Sequence, residues 1–375
     1  MRRWLCALLW MVAAVALRAQ SADWVSVPFD KAHWNFEGDD AAPAKFLGRD
    51  AVRLHRGTAT LKDVDFSTGS IEYDVSFQHE QEFAGLFFRA HDADADYFYL
   101  RPHESSRPDS NQYIPLLDHD DTWQIYSGPE YQSNETYIFG GWNHIRLEIY
   151  PTSAEVYING NRSLRIAKLQ GKFTHGELAL AGLSGSATTA TQMFYSNFRY
   201  RAFPNEAPAD MPKLSHFAPP GLVAHWKVWP TMTESEARAM AAKPYASLPA
   251  SVSVDVEHNG IANIGRLDSL KDGSDGTTLA AFTVRSDIDQ TKMLKVGFSD
   301  RVTVFVNGSP VYIGDNSQYL RDPRFLGIVG LFDTIAVPLH RGENAIIFVV
   351  TEHGGGWAAE AQFTDMAGLH SEAIL

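Results

Sequence analysis

Apolar and polar residues alternate with a period of two in one segment after another of this 375-residue chain. Residues 71–77 place Ile, Tyr, Val and Phe at every second position, with Glu, Asp and Ser between them. Residues 145–149 and 154–158 repeat the pattern, and an Asn-Gly pair follows the second of them. Such alternation indicates strands with one buried face. Because turns and not helices separate these strands, their order favours an antiparallel sandwich.

A proline-rich segment divides the chain into two β regions. Residues 204–221 are polar and aperiodic and contain five prolines, which is typical of a linker. The length also exceeds the roughly 100–200 residues of one domain. The sequence therefore predicts an all-β protein with two antiparallel jelly-roll sandwiches, residues 24–203 and residues 222–375.

The second region is predicted to contain one short helix. Thr233 and Glu236 have the spacing of a capping box, and residues 233–242 are rich in helix-forming residues. Strands are predicted after this helix, with an Asn307-Gly308 turn between two of them. The predicted strands share the alternating pattern and cover residues 279–284, 293–298, 302–306, 311–313, 335–338 and 345–351.

The first 19 residues have the parts of an export signal. A pair of arginines precedes an apolar run over residues 4–17, and residues 17–19 form a signal-peptidase site. The run is shorter than the roughly 20 residues that span a bilayer, so a cleaved signal is favoured over an uncleaved anchor. We expect a secreted or periplasmic protein. Because Cys6 is the only cysteine and lies in this segment, no disulfide is expected in the mature chain.

The formal net charge of −13 argues against a nucleic-acid partner. Affinity for a phosphate backbone comes from clustered Lys and Arg, and the sequence has no such cluster. An anionic membrane surface is disfavoured for the same reason. No transmembrane segment is expected in the mature chain.

Five segments of the first region carry a family resemblance; they are residues 69–75, 83–89, 97–103, 142–145 and 194–198. Through them, residues 69–200 resemble the concanavalin A-like and laminin-G-like jelly rolls, most closely the bacterial 3-keto-disaccharide hydrolase (DUF1080) domain. The resemblance implies a jelly-roll fold. It implies several functions, because this architecture is used by lectins, adhesion modules and glycoside-active enzymes alike.

The second region resembles the galactose-binding-like jelly rolls appended to secreted glycosidases and esterases. The segments that carry this resemblance are residues 304–308, 342–344 and 355–357. It implies an accessory, non-catalytic module. Trp357, after three glycines, is predicted to close the core, with an exposed sugar platform as the alternative.

Residues 97–126 combine aromatic side chains with planar polar groups. Sugars are bound by aromatic faces against their C–H surface and by polar groups that chelate neighbouring hydroxyls. The predicted saccharide contacts in this segment are Arg101, His103, Gln112, Tyr113, Trp123 and Tyr126. The alternative is that Arg89 and Arg101 pair with loop carboxylates and that the loop only caps the sandwich.

If the chain is an enzyme, a general base is expected in the same segment. The catalytic candidates are His103, Glu104, Asp109 and Asp118. Glu72 and Asp74 match the first two carboxylates of a family 16 glucanase strand, but Phe77 occupies the third position. We therefore expect Glu72 and Asp74 to lie on a solvated strand face.

Asp118, Asp120 and Asp121, with His119 between, suggest a Ca²⁺ site through oxygen ligands, although a completed calcium loop is missing. No other cofactor is predicted. The sequence thus favours an exported, non-catalytic protein that binds oligo- or polysaccharide in a groove of the first sandwich. Two alternatives stay open: a glycoside hydrolase or a 3-keto-glycoside lyase or hydratase, and a structural or adhesive surface module.

Overall fold

The described part of the chain contains two β-sandwiches and one short α-helix. In this computed structural model the described residues are 23–38, 40–118, 120–184, 192–267, 276–322 and 324–375. The predicted export signal, residues 1–19 with Cys6, and His119 lie outside them. The prediction of an all-β protein is confirmed.

The first sandwich pairs two antiparallel sheets. Its strands are β1 (Val25–Ser26), β2 (Trp34–Gly38), β3 (Ala42–Phe46), β4 (Arg49–Leu54), β5 (Gly57–Leu61), β6 (Gly69–Ser76), β7 (Glu82–His91), β8 (Asp94–Leu100), β9 (Asn111–Leu117), β10 (Asp120–Asp121), β11 (Gln132–Ser133), β12 (Asn143–Ile149), β13 (Ala154–Ile158), β14 (Asn161–Ile166), β15 (Glu177–Ser184) and β16 (Met193–Ala202). Sheet one has the order β14-β13-β12-β6-β16-β4-β3, with β1 beside β16. Sheet two has the order β10-β9-β8-β7-β15-β5-β2, with β11 beside β9.

The core of this sandwich is built from the predicted alternation. On β6, Ile71, Tyr73 and Val75 are fully buried between the sheets. From sheet two, Leu86 and Phe98 reach the same core. Burying each such side chain contributes about 1.5–3 kcal/mol relative to leaving it exposed, so the period of two decides which face of each strand turns inward.

The second sandwich also pairs two antiparallel sheets. Its elements are β17 (His225–Val228), α1 (Glu234–Ala241), β18 (Val252–Asp255), β19 (Ala262–Asn263), β20 (Gly276–Ser286), β21 (Gln290–Phe298), β22 (Arg301–Val306), β23 (Ser309–Asp315), β24 (Asp333–Leu339), β25 (Gly342–Glu352), β26 (Ala358–Phe363) and β27 (Leu369–His370). Sheet three has the order β18-β17-β20-β25-β22-β23, with β27 beside β20, and sheet four the order β19-β26-β21-β24. Both predicted Asn-Gly turns are present, with positive φ at all four residues.

The predicted helix is α1, and its start is the predicted capping box. The Thr233 side chain accepts a hydrogen bond from the Glu236 N–H, and the Glu236 carboxylate accepts one from the Thr233 N–H. Ala237 and Ala241 bury one face of the helix against sheet three. None of the described helices has the length and apolar character that crossing a bilayer requires.

The two sandwiches are in direct contact. Ile261, Val329 and Ala358 of the second sandwich belong to the apolar cluster of the first. Gly355 lies so close that a Cβ on it would be 2.8 Å from the side chains of Trp123 and Gln124. Trp357 is fully buried in the second core, which agrees with the core-closing role and not with a sugar platform.

Candidate functional site

The outer face of sheet two carries an aromatic and polar cavity of about 380 Å³, here called the sheet-two site. This face carries Tyr97 and Tyr99 of β8 and Arg101, which directly follows β8. Gln112 of the neighbouring β9 lies on the same face. Because side chains alternate across a strand, Phe98 between the two tyrosines points into the core instead. The first-sandwich residues that line the cavity are Gln81, Phe83, Tyr97, Tyr99, Arg101, Gln112, Ile114, Asp121, Trp123 and Leu183.

Aromatic rings form the floor of this cavity. The rings of Tyr97 and Tyr99 stack with centroids 4.9 Å apart, and Phe87 stacks on Tyr97 at 4.2 Å. They can lie across β7 because Gly85 has no side chain: a Cβ there would be 2.5 Å from Cε2 of Tyr97. Because the rings stack on one another and Tyr97 and Tyr99 are only 4% and 5% exposed, they make a closely packed aromatic floor.

Gln112 lines the cavity, but its amide group is already engaged. The Tyr99 hydroxyl donates to Gln112 Oε1 at 2.7 Å. Gln112 Nε2 donates to the carbonyl oxygens of Tyr126 at 2.7 Å and Trp123 at 3.2 Å. Gln112 therefore fixes the segment that presents the Trp123 ring.

Arg101 lines the cavity and also pairs with a loop carboxylate. It is 5% exposed and lines the cavity. Its Nη1 donates to Asp109 Oδ2 at 2.5 Å and to the Asp109 carbonyl at 3.2 Å, which fixes the loop. Its Nε has no hydrogen-bond partner among the described residues.

Asp121, which the sequence suggested only as a metal ligand, is the carboxylate of the sheet-two site. Its strand β10 pairs with β9 and places it opposite Leu116. The residue is open to the cavity. Desolvation by the surrounding protein raises the pKa of Asp121 to about 6, while the Trp123 side chain opposes this rise. A carboxyl group with such a pKa can both accept and release a proton near neutral pH.

A smaller cavity of about 200 Å³ adjoins the sheet-two site and contains His103, Glu104 and Asp109. Burial and the neighbouring Arg101 charge lower the pKa of His103 to about 4, so its imidazole is neutral at pH 7. Its Nδ1 has no hydrogen-bond partner among the described residues. Asp118, the fourth catalytic candidate, is exposed in the turn after β9 and lines neither cavity.

Two predicted contacts, Tyr113 and Tyr126, are corrected by the structure. Tyr113 is fully buried on the core side of β9, and its hydroxyl donates to Asp96 Oδ1 at 2.5 Å. Tyr126 is fully buried beneath the second sandwich, and its hydroxyl donates to the Glu257 carboxylate at 2.7 Å. Neither ring reaches the cavity, so neither can contact a ligand there.

The suggested calcium site is also corrected. Asp120 and Asp121 are neighbours on one strand, so their side chains leave on opposite faces. Asp121 faces the sheet-two site, whereas the Asp120 carboxylate turns towards the second sandwich and accepts a hydrogen bond from the Gly355 N–H. Asp118 is exposed in the turn. Within the described ranges, no group of three or more His, Cys, Asp or Glu side chains is arranged to hold a metal ion.

A loop of the second sandwich forms part of both cavities. Gln318, Tyr319 and Leu326 line the sheet-two site and the smaller cavity beside it. Sequence reasoning missed them because they lie far from β8 and β9 along the chain. The signal available in the sequence was an aromatic residue, Tyr319, in the long connection that follows the predicted strand 311–313.

A second polar group of residues, here called the sheet-one cluster, lies on the outer face of sheet one. It contains Glu72, Asp74, His144, Asn197 and Arg199, around a cavity of about 560 Å³. The expectation of a solvated face is wrong, because Glu72 is 6% and Asp74 9% exposed. Strands β12 and β16 flank β6 and cover both carboxylates with their side chains.

The charges of the sheet-one cluster are paired. Asp74 accepts hydrogen bonds from His144 Nδ1 at 2.8 Å and Asn197 Nδ2 at 2.7 Å, and Arg199 donates to Glu72. The hydrogen bond to Asp74 raises the pKa of His144 against the effect of its burial. Burial would raise the pKa of Asp74, but His144 and Asn197 hold it below its usual value.

Comparison with known proteins finds likeness in the first half of the chain. Residues 32–201 match the family described as the 3-keto-alpha-glucoside-1,2-lyase-like domain. No curated protein matches the chain in sequence.

Solved structures that resemble the chain cover about half of it. A carbohydrate-binding module, CBM66, from Bacillus subtilis is 10% identical, covers 49% of this chain and 98% of its own, and has a TM-score of 0.33. A β-glucanase from Bacillus licheniformis is 12% identical, with coverages of 49% and 99% and a TM-score of 0.35. A protein of unknown function with a galectin-like fold from Bacillus subtilis is 9% identical, with coverages of 49% and 100% and a TM-score of 0.35.

Proposed function

Since the first sandwich is a concanavalin A-like jelly roll that matches the 3-keto-alpha-glucoside-1,2-lyase-like domain over residues 32–201, we propose that this chain binds a short saccharide in the sheet-two site. The fold alone does not select this function, because jelly rolls serve many functions. The proposal rests on the side chains of the cavity.

The observation that carries the proposal is a set of buried polar atoms beside an aromatic floor. The Tyr97 hydroxyl, Arg101 Nε and His103 Nδ1 are buried without a hydrogen-bond partner among the described residues. A buried polar group left unpaired costs about 1–3 kcal/mol. A ligand hydroxyl can accept a hydrogen bond from Arg101 Nε, and can donate to or accept from the Tyr97 hydroxyl and His103 Nδ1, while the C–H face of the sugar lies on Trp123.

The size of the cavity favours a short ligand. Pockets for compact ligands measure roughly 300–1,000 Å³, and the sheet-two site with about 380 Å³ lies near the lower limit. We therefore propose one or two sugar rings as the bound unit. The adjoining cavity near His103 extends the site for a further substituent.

Calorimetric titration of the full chain tests the proposal. The ligands are gluco-oligosaccharides with α-1,4, β-1,4 and β-1,3 linkages, from two to six rings, together with 3-keto-glucosides. Binding by wild type and its loss in Trp123→Ala are expected, because Trp123 lines the site. Trp142→Ala is the matched control, since Trp142 packs against Phe46 on the sheet-one side. Absence of binding to every ligand would refute the proposal.

Catalysis is a second candidate, and the pKa of Asp121 favours it. In a 3-keto-glucoside the ketone acidifies the hydrogen on C2. Removal of that proton gives an enolate, and expulsion of the C1 oxygen substituent then forms a C1–C2 double bond, with a proton passing to the leaving oxygen. Asp121, with a pKa of about 6, suits the base. Arg101, which lines the same cavity, suits stabilisation of the enolate oxygen.

The two candidates are separated by turnover. Incubation with a 3-keto-glucoside, followed by chromatography of the released alcohol or sugar, is expected to show product if the site is catalytic. Asp121→Asn would then abolish product while retaining ligand binding. Binding without product in wild type supports a binding protein.

We also propose that the protein is exported, because residues 1–19 have the arginine pair, apolar run and cleavage site of an export signal. N-terminal sequencing after expression in a bacterium with a periplasm tests this. A mature chain beginning at Gln20 in the periplasmic fraction is expected, and an intact N-terminus in the cytoplasmic fraction would contradict it.

A further inference from the structure

One loop of the second sandwich reaches across to the sheet-two site. This loop, here called the clasp, comprises residues 316–322 and 324–329 between β23 and β24. Gln318 and Tyr319 line the same cavity as Tyr99 and Trp123 of the first sandwich. The cavity is therefore lined by side chains of both sandwiches.

Both ends of the clasp are fixed by hydrogen bonds. At one end, Asn316 N donates to the Asp300 carbonyl at 2.6 Å, and Asn316 Nδ2 donates to the Ile328 carbonyl at 3.2 Å. At the other end, Val329 N donates to the Gln124 carbonyl of the first sandwich at 2.9 Å. Gln124 directly follows Trp123, so the clasp is joined to the segment that presents Trp123 to the cavity.

The aromatic residue of the clasp is held in an uncommon backbone conformation. Tyr319 has φ +67°, in the left-handed region that non-glycine residues rarely adopt. Its N–H donates to the Phe325 carbonyl at 2.8 Å. The residue is 50% exposed although it is a large aromatic residue. Strained residues that the surrounding structure holds in place concentrate at ligand sites.

We infer that the second sandwich is part of the saccharide site, with the Tyr319 ring stacking on a sugar ring and the Gln318 amide bonding its hydroxyls. This inference rests on the proposed function and assigns its specificity. Tyr99 and Trp123 supply one aromatic wall and Tyr319 another, from a different domain. A wall from a second domain limits the length of the bound saccharide, so the site selects short saccharides over internal segments of a polymer.

Titration of three variants in the full chain tests the inference, with the oligosaccharide that binds wild type most tightly. Tyr319→Ala is expected to weaken binding about tenfold, the effect of losing one aromatic contact. Tyr319→Phe keeps the ring and is expected to bind within about twofold of wild type. Leu320→Ala is the matched control, because Leu320 is the next residue, is 59% exposed and lines neither cavity.

The chain length of the ligand gives a second readout. Wild type is expected to lose affinity as rings are added beyond the best ligand, and Tyr319→Ala is expected to lose this preference. Unchanged affinity and unchanged length preference in Tyr319→Ala, with wild type binding normally, would overturn the inference and leave the proposed function standing. No binding by wild type would refute the proposed function itself, and the inference with it.

Discussion

The two polar surfaces of the first sandwich differ in how their charges are satisfied. On the sheet-one cluster, Glu72 and Asp74 are covered by cationic and amide side chains that hydrogen-bond to them. In the sheet-two site and the smaller cavity beside it, Tyr97, Arg101 and His103 keep buried polar atoms without partners among the described residues. The first surface joins three strands of one sheet. The second retains unused hydrogen-bonding capacity beside aromatic rings, which is what a ligand requires.

Carboxyl groups show the same contrast. Asp74 lies among hydrogen-bond donors that hold its pKa below the usual value, so it stays ionised and is a poor proton acceptor. Asp121 lines the sheet-two site, where desolvation raises its pKa to about 6. Paired charges stabilise the arrangement of the strands, whereas an accessible carboxyl group with a raised pKa can accept and release a proton.

Replacing one arginine on each surface with methionine gives the largest expected difference in saccharide affinity between the two surfaces. Arg101→Met should weaken saccharide binding about 10–100-fold, because a hydrogen bond to a charged group contributes about 1.5–3 kcal/mol. Arg199→Met should leave binding unchanged and lower the free energy of unfolding by about 1–3 kcal/mol, because Glu72 loses its partner. Calorimetric titration and urea unfolding measure the two effects. Equal loss of affinity in both variants would contradict the distinction.

The aromatic floor can be disturbed without touching a polar group. Gly85→Ala places a Cβ 2.5 Å from the Tyr97 ring and 2.6 Å from the Phe98 carbonyl oxygen. We expect about tenfold weaker binding and a loss of about 1–3 kcal/mol in stability from overpacking. Titration and thermal unfolding report the two changes. Normal affinity in a variant that has lost stability would show that the floor does not contact the ligand.

The pH dependence of binding should follow Asp121. Above its pKa of about 6 the carboxyl group is ionised, and hydrogen bonds from sugar hydroxyls to an ionised acceptor are roughly twice as strong. Affinity should therefore rise severalfold as the pH increases through 6. Asp121→Asn should bind with little pH dependence over the same interval. An Asp121→Asn profile identical to that of wild type would exclude this role.

His144 should affect stability alone, and by the smallest amount. Asp74 and Glu72 raise the pKa of His144, whereas burial and Arg199 oppose this rise. Stability from the charged imidazole is therefore complete below the unfolded-state pKa of about 6.5 and is lost as the pH rises through the higher folded-state pKa. Because the side chain is 47% exposed, we expect less than about 1 kcal/mol.

Urea unfolding of His144→Asn on both sides of this interval checks the prediction. Wild type should lose stability towards alkaline pH, and the variant should lose less. Saccharide affinity should be the same in both proteins at each pH. A change in affinity would connect the sheet-one cluster with ligand binding.

Periodicity was enough to predict most of the fold. The alternation in residues 71–77 corresponds to β6 and its buried inner face, and the capping box at Thr233 corresponds to the start of α1. Both signals are local, since strand faces and helix starts depend on residues a few positions apart. The resemblance of the second sandwich to galactose-binding-like domains stays a prediction.

The site was predictable only in part, because its walls come from distant segments. Arg101, His103 and Trp123 line the predicted region. Tyr113 was a wrong prediction that the period of two could have prevented, since its neighbour Gln112 faces outward. Tyr126 could not have been excluded from sequence, because what buries it is Glu257 and its neighbours in the second sandwich.

A crystal structure of the chain soaked with its tightest-binding oligosaccharide tests most directly whether the sheet-two site binds saccharide. A sugar ring against Tyr99 and Trp123, with hydroxyls within hydrogen-bond distance of Arg101 Nε, is the predicted result. Sugar bound at the sheet-one cluster around His144, with the cavity between Tyr97 and Tyr319 left without ligand, would contradict it.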